Sequence, residues 1–346
     1  MRGYAGLVCW MTIVQVCMTC QSPQPPKQLT PAFYHWKAVY KLTPTDKEVL
    51  RQTGVQRLYV RFFDVDWDEQ RKQPTPKSVI RFAERPTNLT LIPVVFITNR
   101  TMLALPASAV PTLAQHIATK IQQIASQHHL APREVQLDCD WSPQSRSRYF
   151  TLLKLVKKQL RVPVSATIRL HQIKYAERTG IPPVDRGMLM VYNMADWKNA
   201  DTRNSILDLD VARRYIGFID KYPLPLDAVL PLFRWTIVYR NNRFLTILNN
   251  VDGKQLSPFP FLQRQADSSR FVALRDTTVF GVSVRTGDLF RAESCREQDL
   301  TLAKNQLLSH IQNQSLTFSL YHLDSTVLAS YHHAYLQTLL KPNPEN

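Results

Sequence analysis

Short apolar runs recur along most of this chain, and segments with helical periodicity separate them. Such alternation favours a parallel sheet, because each strand must return to the same edge through a crossover that packs as a helix. The runs fall at 33–37, 57–67, 91–98, 134–141, 162–172, 187–193, 228–237 and 316–324. Helical segments are expected at 43–54, opened by Thr45-Asp46 and stopped by Gly54, and at 110–128, 145–160, 208–221 and 326–340. Eight strands in about three hundred residues is the count of an α/β fold of the (β/α)8 TIM-barrel type, here spanning 32–340. The stretch 238–314 is too long for one βα unit. Within it, 243–249 and 277–284 read as extra strands and 299–312 as a helix, which predicts a β-containing insertion between strands seven and eight. A doubly wound sheet with an appended β-region is the structural alternative.

Ahead of the barrel, Arg2 and the apolar run 4–16 read as a secretory signal, since the run is too short to span a bilayer. Residues 1–20 are expected to form that signal, with Cys20 as the lipid acceptor of a bacterial lipoprotein and 21–31 as a polar tether. The residues Cys17-Met18-Thr19 depart from the usual lipobox, so secretion without a lipid stays open. The expectation is an exported protein of the cell envelope, held at the membrane through its lipid. Beyond Cys20 only Cys139 and Cys295 remain, too few for a disulfide framework and without zinc-ligand spacing. Lys and Arg number 43 against 27 Asp and Glu, a net charge of +16. Those charges are dispersed, as at Arg51, Lys120, Arg148, Lys157 and Arg213, and form no stripe. No nucleic-acid partner is therefore expected; an anionic envelope polymer or a glycan fits better.

Barrel proteins carry their chemistry at the carboxyl ends of the strands. Here those ends are polar or aromatic: Trp36, Asp64 with Asp66, Asp138 with Asp140, Arg169 with His171, Tyr192-Asn193, Trp235 and Tyr321. On strand four, alternation places Gln136, Asp138 and Asp140 on one face; on strand five it places Ser165, Thr167, Arg169 and His171 together. Two neighbouring carboxylates repel, which raises one pKa and suits acid–base work. An Asp–Arg network with Arg169 that only fixes the barrel is the other reading. Trp36, Trp67, Trp141, Tyr192, Trp197, Trp235 and Tyr321 could serve as sugar platforms or as packing. Nothing in the carboxylate spacing fixes a metal site, and no cofactor is called for.

Taken in order, Phe33-Tyr34-His35-Trp36, the strand-four run 135–140, Met190-Val191-Tyr192-Asn193 with Trp197, the run 229–235 and the run 318–324 resemble the strand motifs of glycoside hydrolase family 18, the chitinases and endo-N-acetylglucosaminidases. The resemblance covers about residues 33–325. It implies that Asp138 stands where the family's Asp orients the substrate N-acetyl group and that Asp140 stands at the acid position, with Gln136 in place of an earlier Asp. Shifting the register puts Ser142 at the acid position instead; in either case the family's Glu is absent, and Asn193 replaces the sixth-strand Asp. Displacing an acid by about 1 Å can cost about 10²-fold in rate. The resemblance therefore implies a divergent glycosidase-like barrel that acts on or binds an envelope or environmental glycan. Its catalytic candidates are Asp138 and Asp140, and its substrate-binding candidates Trp36, Asp64, Asp66, Arg169, Tyr192, Asn193, Trp235 and Tyr321. A catalytically silent glycan binder and a structural lipoprotein with a basic surface are the alternatives.

Overall fold

The computed structural model describes residues 26–267 and 269–342; the signal reading and Cys20 lie outside them. Eight parallel strands form the wall of the barrel: β1 (Gln28–His35), β2 (Arg57–Asp68), β3 (Thr90–Ile97), β4 (Val135–Asp138), β5 (Val164–Arg169), β6 (Arg186–Met190), β7 (Leu226–Pro231) and β8 (Ser315–Tyr321). β1 pairs with β2 on one side and with β8 on the other, so the sheet closes and the doubly wound alternative is excluded. Each of the eight runs expected from the sequence overlaps one strand of the barrel wall.

Local chemistry explains the connections. Helix Pro44–Thr53 begins at a capping box in which Thr43 and Asp46 satisfy each other's backbone N–H, and it ends at Gly54 in the left-handed conformation. Helix Val110–Gln127 turns Leu113, Ala114, Ile117, Ile121 and Ile124 onto the barrel wall, the stripe that its 3.6-residue period dictates. Where β6 begins, Gly187 lets the helix-side chains close in. A Cβ there would lie 2.4 Å from Ile168 and 2.9 Å from Leu226, so no larger residue fits without displacing them.

Several boundaries differ from the sequence reading: the helix expected at 208–221 ends at Ile216, that at 326–340 is split into Ser325–Leu328 and His333–Leu340, and 277–284 is a hairpin of two short strands. The polar tether was expected to run through residue 31, but Gln28–Pro31 already belong to β1 and pair with Ser315–Phe318. These residues look like a loop because the strand starts at the open lower rim, where polar side chains stay in water while the backbone is bonded to β8. The expected seventh strand, 228–237, breaks after Pro231, and Trp235 opens a separate antiparallel sheet. That sheet, 235–293, orders its strands as Arg243–Asn249, Trp235–Arg240, Leu289–Glu293, Arg270–Ala273 and Leu262–Arg264, over a core of Val238, Leu248, Phe271 and Phe290. The following helix, Glu297–His310, buries Leu300, Ala303 and Leu307 in the main core and so serves the barrel rather than the insertion. Cys139 and Cys295 are both buried and free.

Candidate functional site

Alternation along each strand sends one set of side chains into the barrel, where they stack in polar and aromatic layers. In the lowest layer Arg186 donates to Asp227 at 2.7 Å, and Ser165 donates to Glu134 at 2.6 Å. Above it, the Tyr34 hydroxyl donates to Gln136 at 2.6 Å while its ring stacks on Tyr59, centroids 4.9 Å apart. Gln136, which stands where the resembled family has an Asp, therefore works as a neutral bridge in the lumen.

The next layer holds the strand-four pair. Asp138 is 5% exposed and accepts from the Thr167 hydroxyl at 2.6 Å. Burial, helped by the charge of Asp140, pushes its pKa up to about 6. Asp140 stands at the rim with its side chain 51% exposed, and Arg169 reaches it through Nε at 2.6 Å and Nη2 at 3.1 Å. The two carboxylates share one inward face, as the alternation of strand four requires. Arg169 also lies over the Tyr192 ring, 5.5 Å from its centroid. Tyr192 stacks on Tyr321 at 5.2 Å, and Tyr321 touches Trp36 at 5.6 Å and Phe233 at 5.9 Å. The result is a continuous aromatic floor with a guanidinium on its edge.

Among the described residues, a cleft of about 820 Å³ opens between this floor and the inserted sheet. Asp140, Arg169, Tyr192, Asn193 and Trp235 line it, five of the residues singled out in the sequence. Trp36 and Tyr321 do not line it; they pack behind Tyr192, which is itself 3% exposed. Asn193 takes a left-handed turn (φ 53°), a conformation that asparagine tolerates. Trp235 forms part of the far wall, its indole N–H donating to Glu293 at 2.8 Å.

Glu293 is the centre of a buried node. It accepts from Arg291 at 2.6 Å and from the Ser205 hydroxyl at 2.6 Å, and Arg291 in turn donates to the Asn199 carbonyl at 2.6 Å. Both charged side chains are fully buried. The node pins the loop after β6 to the inserted sheet and so fixes the width of the cleft. It was not legible in the sequence, since its members are distant in the chain and carry no spacing signal.

Asp64 and Asp66 do not line this cleft, although the charge of Asp64 reaches Asp138 and Tyr321 from across the barrel mouth. Asp64 is bonded to Arg61, whose guanidinium covers Trp36 at 5.5 Å. Asp66 is taken up by Arg100 at 2.6 Å, Thr98 at 2.9 Å and Lys77 at 3.4 Å. These bonds, that of Arg100 foremost, hold its carboxyl below the usual range. Trp67 and Trp141 are not platforms: both are buried in the helix layer, and Trp141 donates to the Thr179 carbonyl at 2.9 Å. Ser142, the other occupant of the acid position, is tied to Ser145, to which its backbone N–H donates. A second cleft, of about 560 Å³, holds Arg203, Asp210, Arg213, Arg296 and Asp299, whose charges already pair with one another or with Asp208.

No family model matches the sequence, and no curated protein matches it. Among solved structures, the fold is similar to the Bacillus cereus spore cortex-lytic enzyme SleL, at 13% identity over 91% of this chain and 74% of that one, with a TM-score of 0.55. It is similar to the chitinase-like agglutinin RobpsCRA from Robinia pseudoacacia, at 9% identity, 89% and 98% coverage and a TM-score of 0.52. It is also similar to a GH18 chitinase from Cycas revoluta, a double mutant in complex with (GlcNAc)4, at 12% identity, 90% and 98% coverage and a TM-score of 0.51. The chain thus carries the (β/α)8 barrel of the GH18 chitinases, at a distance at which fold alone is shared.

Proposed function

We propose that the cleft binds a glycan containing N-acetylhexosamine and does so without chitinase-type hydrolysis. The observation that carries this reading is the paired hydrogen bonding of Arg169 to Asp140, one bond to each carboxylate oxygen. An acid at that position would have to surrender one of these bonds before handing a proton to a leaving group. Meanwhile the partly exposed rings that line the cleft, Trp197, Tyr215 and Trp235, offer the apolar faces that sugar rings stack on. The barrel it shares occurs in an agglutinin as well as in chitinases. Calorimetric titration with N-acetylglucosamine oligomers should give saturable heat with no release of reducing ends. No heat at millimolar oligomer would sink the proposal.

One observation favours slow hydrolysis as a second reading. Asp138, with its pKa pushed up to about 6 below a paired Asp140, is the kind of carboxyl that can hold a proton near neutrality. Reducing ends released by the native protein and not by Asp138→Asn would select it.

The same proposal places the protein in the bacterial cell envelope, anchored by a lipid on Cys20. Its support is the short apolar run 4–16 with the polar residues that follow Cys20. Secretion without a lipid is the alternative.

A further inference from the structure

One wall of the cleft does not end at its rim. Tyr215, on helix Leu209–Ile216, lines the cleft, and beyond it lie two rings that face water. These are Tyr175, 45% exposed, and Phe218, 43% exposed. Large aromatic rings left this open next to a binding cleft are unusual, because burying either would release a considerable apolar area from water. The three rings surround a single ammonium: Lys174 Nζ lies 5.1 Å from the Tyr215 centroid, 5.3 Å from Phe218 and 5.6 Å from Tyr175. Helix Leu170–Lys174 follows directly on β5, so Lys174 sits five residues beyond Arg169, on the same side of the mouth.

Lys174 differs from Arg61, Arg100 and Arg169 in one respect. Each of those is matched by a carboxylate, whereas among the described residues Lys174 makes no ion pair and donates to the Arg214 carbonyl at 3.2 Å. Its charge is held by ring faces and, among the described residues, is not compensated by an acidic side chain.

Resting on the glycan-binding reading, we infer that this ring-walled lysine is an outer subsite that receives a carboxylate-bearing sugar of a longer chain. The central cleft takes the neutral amino sugar against Trp197 and Trp235. The chain then runs out past Tyr215, stacks on Phe218 or Tyr175, and presents a carboxylate to Lys174. Continuity of the wall gives the path, and the unmatched ammonium gives the charge preference. The net charge of +16 draws an acidic polymer to the surface but does not choose where it lies.

The test compares two probes of equal length on the full chain: an N-acetylglucosamine hexamer, which is neutral, and a hyaluronan hexasaccharide, in which N-acetylglucosamine alternates with glucuronate. The native protein should bind the acidic probe about fivefold more tightly, the advantage that one partly exposed ion pair supports, and high salt should erase the difference. Lys174→Gln should lose the preference while keeping its affinity for the neutral hexamer. Phe218→Ala should weaken both hexamers and leave an N-acetylglucosamine dimer unchanged. Both positions are at the surface, and an unchanged melting temperature will show that the variants fold. Equal binding of the two probes by the native protein, or a preference that survives Lys174→Gln, overturns the outer subsite and leaves the central cleft standing. Binding of neither probe overturns both.

Discussion

Arg169 donates to both carboxylate oxygens of Asp140, at 2.6 and 3.1 Å, while its guanidinium lies over Tyr192. The geometry is the planar, two-bond fit that only arginine offers a carboxylate. It commits the rim carboxylate to the protein and leaves the partly exposed rings of Trp197, Tyr215 and Trp235 as the cleft surface open to a ligand. Replacing Asp140 with Asn should therefore change the affinity for an N-acetylglucosamine oligomer by less than about twofold, or about 0.4 kcal/mol. A calorimetric titration checks this; a tenfold loss would mean that Asp140 meets the sugar directly.

The far wall depends on Glu293. Trp235→Ala should weaken oligomer binding by about 1–3 kcal/mol, as loss of an aromatic anchor does. Glu293→Ala should be worse for the fold than for the ligand. It strands Arg291 in a site with no exposure, at a cost of about 3–5 kcal/mol in unfolding free energy. Denaturant unfolding separates the two effects. A Glu293→Ala protein as stable as the native chain would show that Arg291 is satisfied by the backbone carbonyls alone.

Asp138 links stability to pH. Its pKa rises from an ordinary 3.8 to about 6 on folding, chiefly through burial, so the folded state prefers the protonated form. The stability this contributes is complete below pH 4 and is lost as pH climbs through about 6, a change of up to about 3 kcal/mol. Asp138→Asn, which keeps an acceptor for Thr167, should be more stable than the native protein at pH 7 and lose that advantage by pH 4. Parallel melting curves across the range would contradict the assignment.

Export and anchoring are tested at Cys20. Metabolic labelling with a palmitate analogue should mark the native chain and fail on Cys20→Ser, which should also leave the membrane fraction. Labelling unchanged by the substitution would dismiss the lipid. The first described residues meet the barrel at its lower rim, where the Pro26 carbonyl accepts from Gln314 at 2.7 Å. An anchored protein would thus turn its cleft away from the bilayer.

The barrel was legible because each strand is an apolar run wide enough to be seen without knowing its partner. The pairing of Asp138 and Asp140 on one face followed from period two. The face of Asp64 did not, since the pairing of β2 with β3 slips between Arg61 and Phe63 and reverses the alternation beyond that point. Aromatic residues divided for a similar reason. Trp141 and Trp235 look alike in sequence, yet one lies just past the end of β4 facing the helices and the other opens a sheet whose start no local pattern marks. Partners distant in the chain, such as Arg291 with Asn199 and Glu293 with Ser205, carry no trace in composition or spacing.

The seam of the barrel has a consequence for how the molecule is made. β1 leaves its neighbour on one side unpaired until β8 arrives, and the Ser315 hydroxyl meets Gln28 across 287 residues of chain. Pairings so distant close late, because the ordering of a very long loop precedes any gain from the contact. A nascent chain still lacking Ser315–Tyr321 is an open sheet with two raw edges and no finished lumen. That delay leaves the chain slack until its last strand is made, and the final strand acts as the latch.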